Sequence, residues 1–277
     1  MGRTKQTNNK KSMNVLLTVL LIVFLALGIF SAIKIWKIVA EYKQGNSAYK
    51  DLGDYIQLSD PAEKPKPTSD PGNETEGAGD AETPPEPTPP PIDWPVVDFE
   101  GLLEINEDCV GWILIEDTAV NYPIVQSEDN SYYLNRLFDG TWNIVGSIFL
   151  DYRVADDFSY RNSPIYGHRM NDGSMFADLL HYKEQEFYDL HPIGYLLTPE
   201  QNYQIEFFAG VLEPTDGSAW DYEFDSDEEF EDWIQAAKEK SCFESDVNPE
   251  VTDKIVTLST CTRESGYVRL VLYGRLK

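Results

Sequence analysis

Three cysteines and three histidines are all that 277 residues contain. An odd, small number of cysteines builds no disulfide framework, so any core must form without covalent staples. No Cys/His cluster has metal-ligand spacing either, and the chain is read as requiring no metal and no cofactor. Basic side chains are also scarce, 22 Lys and Arg against 48 Asp and Glu, for a net charge of −26. Six of those 22 (Arg3, Lys5, Lys10, Lys11, Lys34 and Lys37) lie in the first 40 residues, where no acid occurs. The rest therefore sets 16 basic against 48 acidic residues. So acidic a body repels a phosphate backbone at long range, which excludes nucleic acid as a partner.

What the chain does have begins with a long apolar run. Residues 15–33, VLLTVLLIVFLALGIFSAI, are nineteen positions without a charge, about the length that crosses a bilayer core. A cleaved signal peptide has a shorter apolar stretch and a small-residue cleavage site, neither of which fits. Residues 15–38 are therefore expected to be a transmembrane anchor. Four basic residues precede it, so the positive-inside rule places residues 1–14 in the cytoplasm and the bulk of the chain outside, on a single-pass membrane protein. Residues 59–92 hold ten of the seventeen prolines and almost no large apolar side chains. Such a segment buries no core, and residues 39–95 are expected to be an extended extracellular tether.

From residue 96 to the end the pattern is globular. DFEGLLEIN predicts a short helix capped by Asp98, with Phe99, Leu102 and Leu103 inward. Eight apolar or alternating runs, from VGWILIED to YVRLVLYGRL, are broken by Gly, Pro, Asn and Asp and predict strands. SDEEFEDWIQAAKEKS predicts one longer helix, with Ser226 and Glu229 as a capping box and Phe230, Trp233, Ile234 and Ala237 on one face. Short strands with a few peripheral helices predict a mostly β fold, a closed eight-stranded β-barrel.

In DKIVTLSTC the alternation puts Ile255, Thr257, Ser259 and Cys261 on one face, and in YVRLVLYG it puts Tyr267, Arg269, Val271 and Tyr273 on the matching face. If the two strands pair, Cys261 and Arg269 share a surface. A nearby cation favours the thiolate, and a guanidinium can also stabilise an oxyanion. A cysteine that only packs is the competing reading. A thiol nucleophile needs a proton donor for its leaving amine. Of the three histidines His168, in a polar turn after a strand, is better placed than His181 in a helical stretch or His191 before a proline. Cys109 and Cys242 are read as packing or surface residues.

TLSTC followed by an arginine eight residues on, with IYGHRMNDGSMF and VGWILIEDTAVNYPIVQSEDNSYYL upstream, closely resembles the sortases, and among them class B. The resemblance spans about residues 98–277, including the helix before the cysteine strand. It implies a cysteine transpeptidase in which Cys261 is the nucleophile, His168 the general acid and base, and Arg269 the group that holds the substrate carbonyl. It also implies that Asn130, Leu134, Thr215 and Ser259 line a groove for the substrate. Trp220 and Tyr222, in EPTDGSAWDYEF, do not align with the tyrosine usual there. Arg263 stands where some relatives carry an acid, so a Cys-His-Asp triad gains no support. The implied partners are secreted proteins with a C-terminal sorting signal and a lipid-linked peptidoglycan precursor or other amine. Alternatives are a pilin-polymerising enzyme, a hydrolytic cysteine protease, or a membrane-tethered binding module in which Cys261 merely packs.

Overall fold

A computed structural model describes residues 4–58, 93–262 and 266–277. The first element, α1 (Thr4–Leu52), is a single helix whose described side chains from residue 15 to residue 40 are all exposed. It leads through β1 (Ile56–Gln57), which pairs with β2 (Val96–Val97), into α2 (Phe99–Ile105). The barrel strands follow: β3 (Cys109–Leu114), β4 (Asn121–Val125), β5 (Ile148–Leu150), β6 (Asn162–Tyr166), β7 (Ile193–Leu197), β8 (Asn202–Pro214), β9 (Lys254–Cys261) and β10 (Val268–Leu276). A short helix, α3 (Gln185–Leu190), precedes β7, and α4 (Asp227–Glu239) lies between β8 and β9.

The eight strands close in the order β10-β8-β7-β3-β4-β5-β6-β9. Neighbours are antiparallel except β4 with β5 and β6 with β9. Closure leaves no unpaired edge among these strands. The interior holds Ile113, Ile124, Ile165, Leu258, Leu270 and Leu272. A second cluster forms outside, where Phe230, Trp233, Ile234 and Ala237 of α4 cover Phe208, Val211, Ile255, Val271 and Tyr273. The face of β9 and β10 opposite the interior is thus buried beneath α4 through its middle, at Ile255, Val271 and Tyr273, while its end at Cys261 and Arg269 stays half-exposed.

Local signals in the sequence match the helix starts. Asp98 caps α2 by accepting from Gly101 N at 3.0 Å, and Ser226 caps α4 by accepting from Glu229 N at 3.1 Å. Glu229 reaches back to Asp225 N at 2.6 Å. Leu103, expected to face inward, is exposed; in a helix of two turns it stands about 100° round from buried Leu102.

The expected tether is corrected by α1. Residues 39–58 do not run out as linker: the helix continues to Leu52, and Tyr49, Leu52 and Ile56 are buried in the same cluster as the barrel interior. Tyr42, Gly45, Tyr49 and Leu52 recur at helical spacing, a pattern masked by the polar residues between them. Trp94, also assigned to the tether, packs edge-on to Tyr195 with ring centroids 5.9 Å apart. The globular unit therefore begins near Glu41. Residues 59–92, the proline-rich part, lie outside the described residues, but their flanks are clasped together, Ile56 opposite Val97 and Gln57 opposite Val96.

Candidate active site

Two strand pairings build the site. In the antiparallel pair β9–β10, Arg269 is the direct partner of Cys261, and cross-strand neighbours project to the same face with Cβ atoms about 5 Å apart. In the parallel pair β6–β9, Tyr166 is the partner of Ser259, and Gly167 N donates to Ser259 O at 3.1 Å. Parallel strands end on the same side of a sheet. Two residues beyond Tyr166 and two beyond Ser259, His168 and Cys261 therefore emerge together.

His168 is held on three sides. Its Nε2 lies 2.7 Å from Leu134 O, and its backbone O accepts from Phe176 N at 2.9 Å. A carbonyl only accepts, so Nε2 carries the proton and Nδ1 is the nitrogen left to take up or pass on another. Beneath the ring is Gly146, at φ +65°, where a Cβ would stand 2.7 Å from Leu134 O and 3.0 Å from His168 Cδ2. Only glycine fits that approach.

Asn130, Leu134, Thr215, Ser259, His168, Cys261 and Arg269 all line one cleft of about 610 Å³. Leu134 sits in a 3-10 turn, Tyr132–Asn135. Asn130 is fixed by accepting from Tyr152 N at 3.1 Å, and Thr215 by donating its backbone N–H to Tyr267 O at 3.0 Å. Arg269 Nη1 donates to Gly266 O and Val268 O at 3.0 and 3.2 Å, so its fork is engaged only with neutral carbonyls among the contacts described. Arg263 lies outside the described residues.

Residue patterns did not point to four further lining residues, Phe149, Tyr166, Gly167 and Thr260. The run GSIFLDY carries Phe149, but it is the pairing of Phe149 with Tyr166 across β5–β6, with ring centroids 5.3 Å apart, that shows the two share the outer surface by the cleft. Of the two aromatics before α4, Trp220 lines the cleft, whereas Tyr222 lies under the Arg153 guanidinium at 4.6 Å.

Behind the cleft Asp151 is fully buried. Arg153 meets it through Nε and Nη2 at 2.9 and 2.7 Å, and Tyr166 donates its hydroxyl at 2.7 Å. Arg153 Nη2 also donates to Trp220 O at 3.3 Å, which ties the loop before α4 to the barrel wall. Burial alone would raise the Asp151 carboxyl; the hydrogen bonds from Arg153 and Tyr166 outweigh it and hold it below the usual carboxylate range. Burial beside that carboxylate pushes the Tyr166 phenol far up. Among the described residues no group of three or more His, Cys, Asp and Glu could hold a metal ion.

Sortase B of Listeria monocytogenes is 41% identical over 181 residues, covering 65% of this chain and 74% of that protein. The chain belongs to the sortase B family. Sortase B of Staphylococcus aureus is 37% identical over 163 residues, 59% of this chain and 67% of that one. A solved S. aureus sortase B–substrate complex superposes with a TM-score of 0.62 at 35% identity, over 65% of this chain and 84% of that one. A Bacillus anthracis structure described as similar to sortase B gives 0.60 at 41% identity, over 64% of this chain and 81% of that one. No family profile matches the chain. As a sortase B the chain is a sortase transpeptidase built on the family's closed barrel.

Proposed function

We propose that Cys261, His168 and Arg269 carry the transpeptidation. Cys261, as thiolate, attacks the carbonyl of a Thr in a C-terminal sorting signal, and a C–S bond forms. The carbonyl electrons move onto oxygen, where the Arg269 guanidinium receives the negative charge. The tetrahedral adduct collapses, the C–N bond breaks, and His168 gives its proton to the departing amine. The product is a thioester. An acceptor amine then attacks it, His168 takes the amine's proton, and the new amide leaves with the thiolate restored.

What carries this reading is the register: one ladder pairs Arg269 with Cys261, and a second, parallel one delivers His168 to the same end. Asn130, Leu134, Thr215 and Ser259 line the same cleft and serve as walls for the peptide. The S. aureus relative was solved as a substrate complex, which supports a peptide ligand in this cleft. Residues 15–38 of α1 serve as the membrane anchor, on a helix long and apolar enough to cross a bilayer. The catalytic barrel faces the cell exterior, where secreted proteins meet a lipid-linked wall precursor that supplies the amine.

Mass spectrometry of the full chain in detergent with a panel of sorting-signal peptides, with and without a small amine, tests the mechanism. Cleavage after Thr, diverted to an amide by the amine and abolished by Cys261→Ala, is expected. Cleavage that persists in Cys261→Ala would remove the nucleophile assignment.

A further inference from the structure

α1 passes from exposure to burial without a break. Its described side chains from residue 15 to residue 40 are exposed; Glu41 and Tyr42 are half-buried, and Gly45 and Tyr49 are buried. The contacts that cover it come from one side of the barrel. Asn143 Nδ2 donates to Glu41 O at 3.0 Å, Asn46 Nδ2 to Asp172 Oδ2 at 2.9 Å, and Tyr49 Oη to Gly146 O at 2.6 Å. A Cβ on Gly45 would stand 2.7 Å from Val145 Cγ2, so helix and loop touch backbone to side chain. The loop that grips the helix is also the floor of His168, through Gly146.

Helix geometry turns these contacts into heights. Nineteen residues at about 1.5 Å each make roughly 28 Å, which matches a hydrocarbon core of about 30 Å. From Ile33 to Glu41 is then about 12 Å along the axis, against a headgroup layer of about 5–7 Å. Lys34, Trp36 and Lys37 fall within that layer, where Trp and snorkelling Lys are at home. Asn143 therefore meets the helix just above the headgroups. Its neighbour Trp142 is 56% exposed although Asn143 itself is fully buried.

The geometry points to a barrel seated on the bilayer, with the loop at Trp142 resting on the lipid headgroups and a jointless helix holding the cleft at one height. This rests on the reading of α1 as a membrane span. The occupant of the Trp142 surface is lipid because the exposed apolar part of α1 ends within a few residues of it. A tryptophan reaching from that loop down into the headgroup layer gains from one apolar and one wet side. Residues 59–92 add nothing to the reach: they leave and return through the β1–β2 clasp, on the far side of the helix's grip on the barrel. The His168 floor stays about 24 Å along the axis from Ile33, whatever the length of that segment.

The test uses the full chain in phosphatidylcholine–phosphatidylglycerol vesicles with a lipid spin-labelled near the headgroup. Subtracting the emission of Trp142→Phe from wild type isolates Trp142. Its emission is expected to be blue-shifted and quenched at least about twofold, as for an aromatic at headgroup level. Replacing residues 59–92 by a short turn is expected to leave that quenching unchanged, while a flexible Gly-Ser insertion after Ala40 abolishes it. Unquenched Trp142 in a chain that resists carbonate extraction overturns the seating and leaves the span intact. Release of the chain by carbonate overturns the span itself. Quenching that changes when residues 59–92 are shortened overturns the jointless support.

Discussion

Arg269 faces Cys261 directly across the β9–β10 ladder, at an end of that face that α4 leaves uncovered. Among the described residues the guanidinium donates only to the carbonyls of Gly266 and Val268. Arg269→Ala is expected to lower kcat about 10²–10³-fold, the scale of losing an oxyanion donor. Arg269→Lys should recover only part of this, since charge remains and the fork is gone. Steady-state peptide cleavage, with thermal melts to show intact folding, decides; equal rates for wild type and Arg269→Ala would end its assignment.

The three thiols should separate by reactivity. Burial pushes the Cys109 thiol up to about 11, whereas Cys261 is half-exposed and Cys242 exposed. Brief alkylation at about pH 8 is expected to label Cys261, to label Cys242 more slowly because burial pushes its thiol up too, and to spare Cys109, which has almost no thiolate there. Peptide mapping by mass spectrometry reads the result, and early labelling of Cys109 would contradict its burial.

Arg153 and Asp151 should show in the acid stability of the protein. The carboxyl is held below its ordinary value of 3.8, so its contribution is complete above about pH 4 and is lost as pH falls through the lowered value. Asp151→Asn is expected to flatten the loss of stability below about pH 4 while lowering it at neutral pH. Arg153→Ala leaves a buried carboxylate with Tyr166 as its remaining side-chain partner and should cost about 3 kcal/mol. It should also raise KM more than it lowers kcat, because the loop carrying Trp220 loses one of its ties to the barrel wall, those from Asn162 Nδ2 to Ala219 O and Asp221 O remaining. Melting curves across pH and a KM-against-kcat comparison check both; an unchanged acid limb in Asp151→Asn would refute the first.

Truncation tests where the folded unit starts. A chain of residues 94–277 lacks Tyr49, Leu52 and Ile56, each buried in the barrel cluster. At about 1.5–3 kcal/mol for a buried large apolar side chain, it should be less stable than residues 39–277 by several kcal/mol. Urea denaturation of the two soluble forms measures the difference, and coincident midpoints would show that the helix contributes nothing.

The sequence by itself determined the eight strands, the closed barrel and the cap residues Asp98 and Ser226, because each rests on local alternation or spacing. It also placed Cys261 and Arg269 on one face, since strand phase follows from a period of two. The family's short motifs brought Asn130, Leu134, Thr215 and Ser259 within view, but not Phe149, Tyr166, Gly167 or Thr260. Only the tertiary structure decided that β6 and β9 run parallel, which is why His168, some ninety residues from Cys261, ends beside it. Only it revealed the Asp151, Arg153 and Tyr166 cluster, whose members mean little apart. And only it turned residues 39–58 from linker into core: a helical stripe of Tyr42, Gly45, Tyr49 and Leu52 is legible once the loop at Val145 and Gly146 is there to be packed against. Local patterns are written in neighbouring residues, while burial depends on which distant surface arrives.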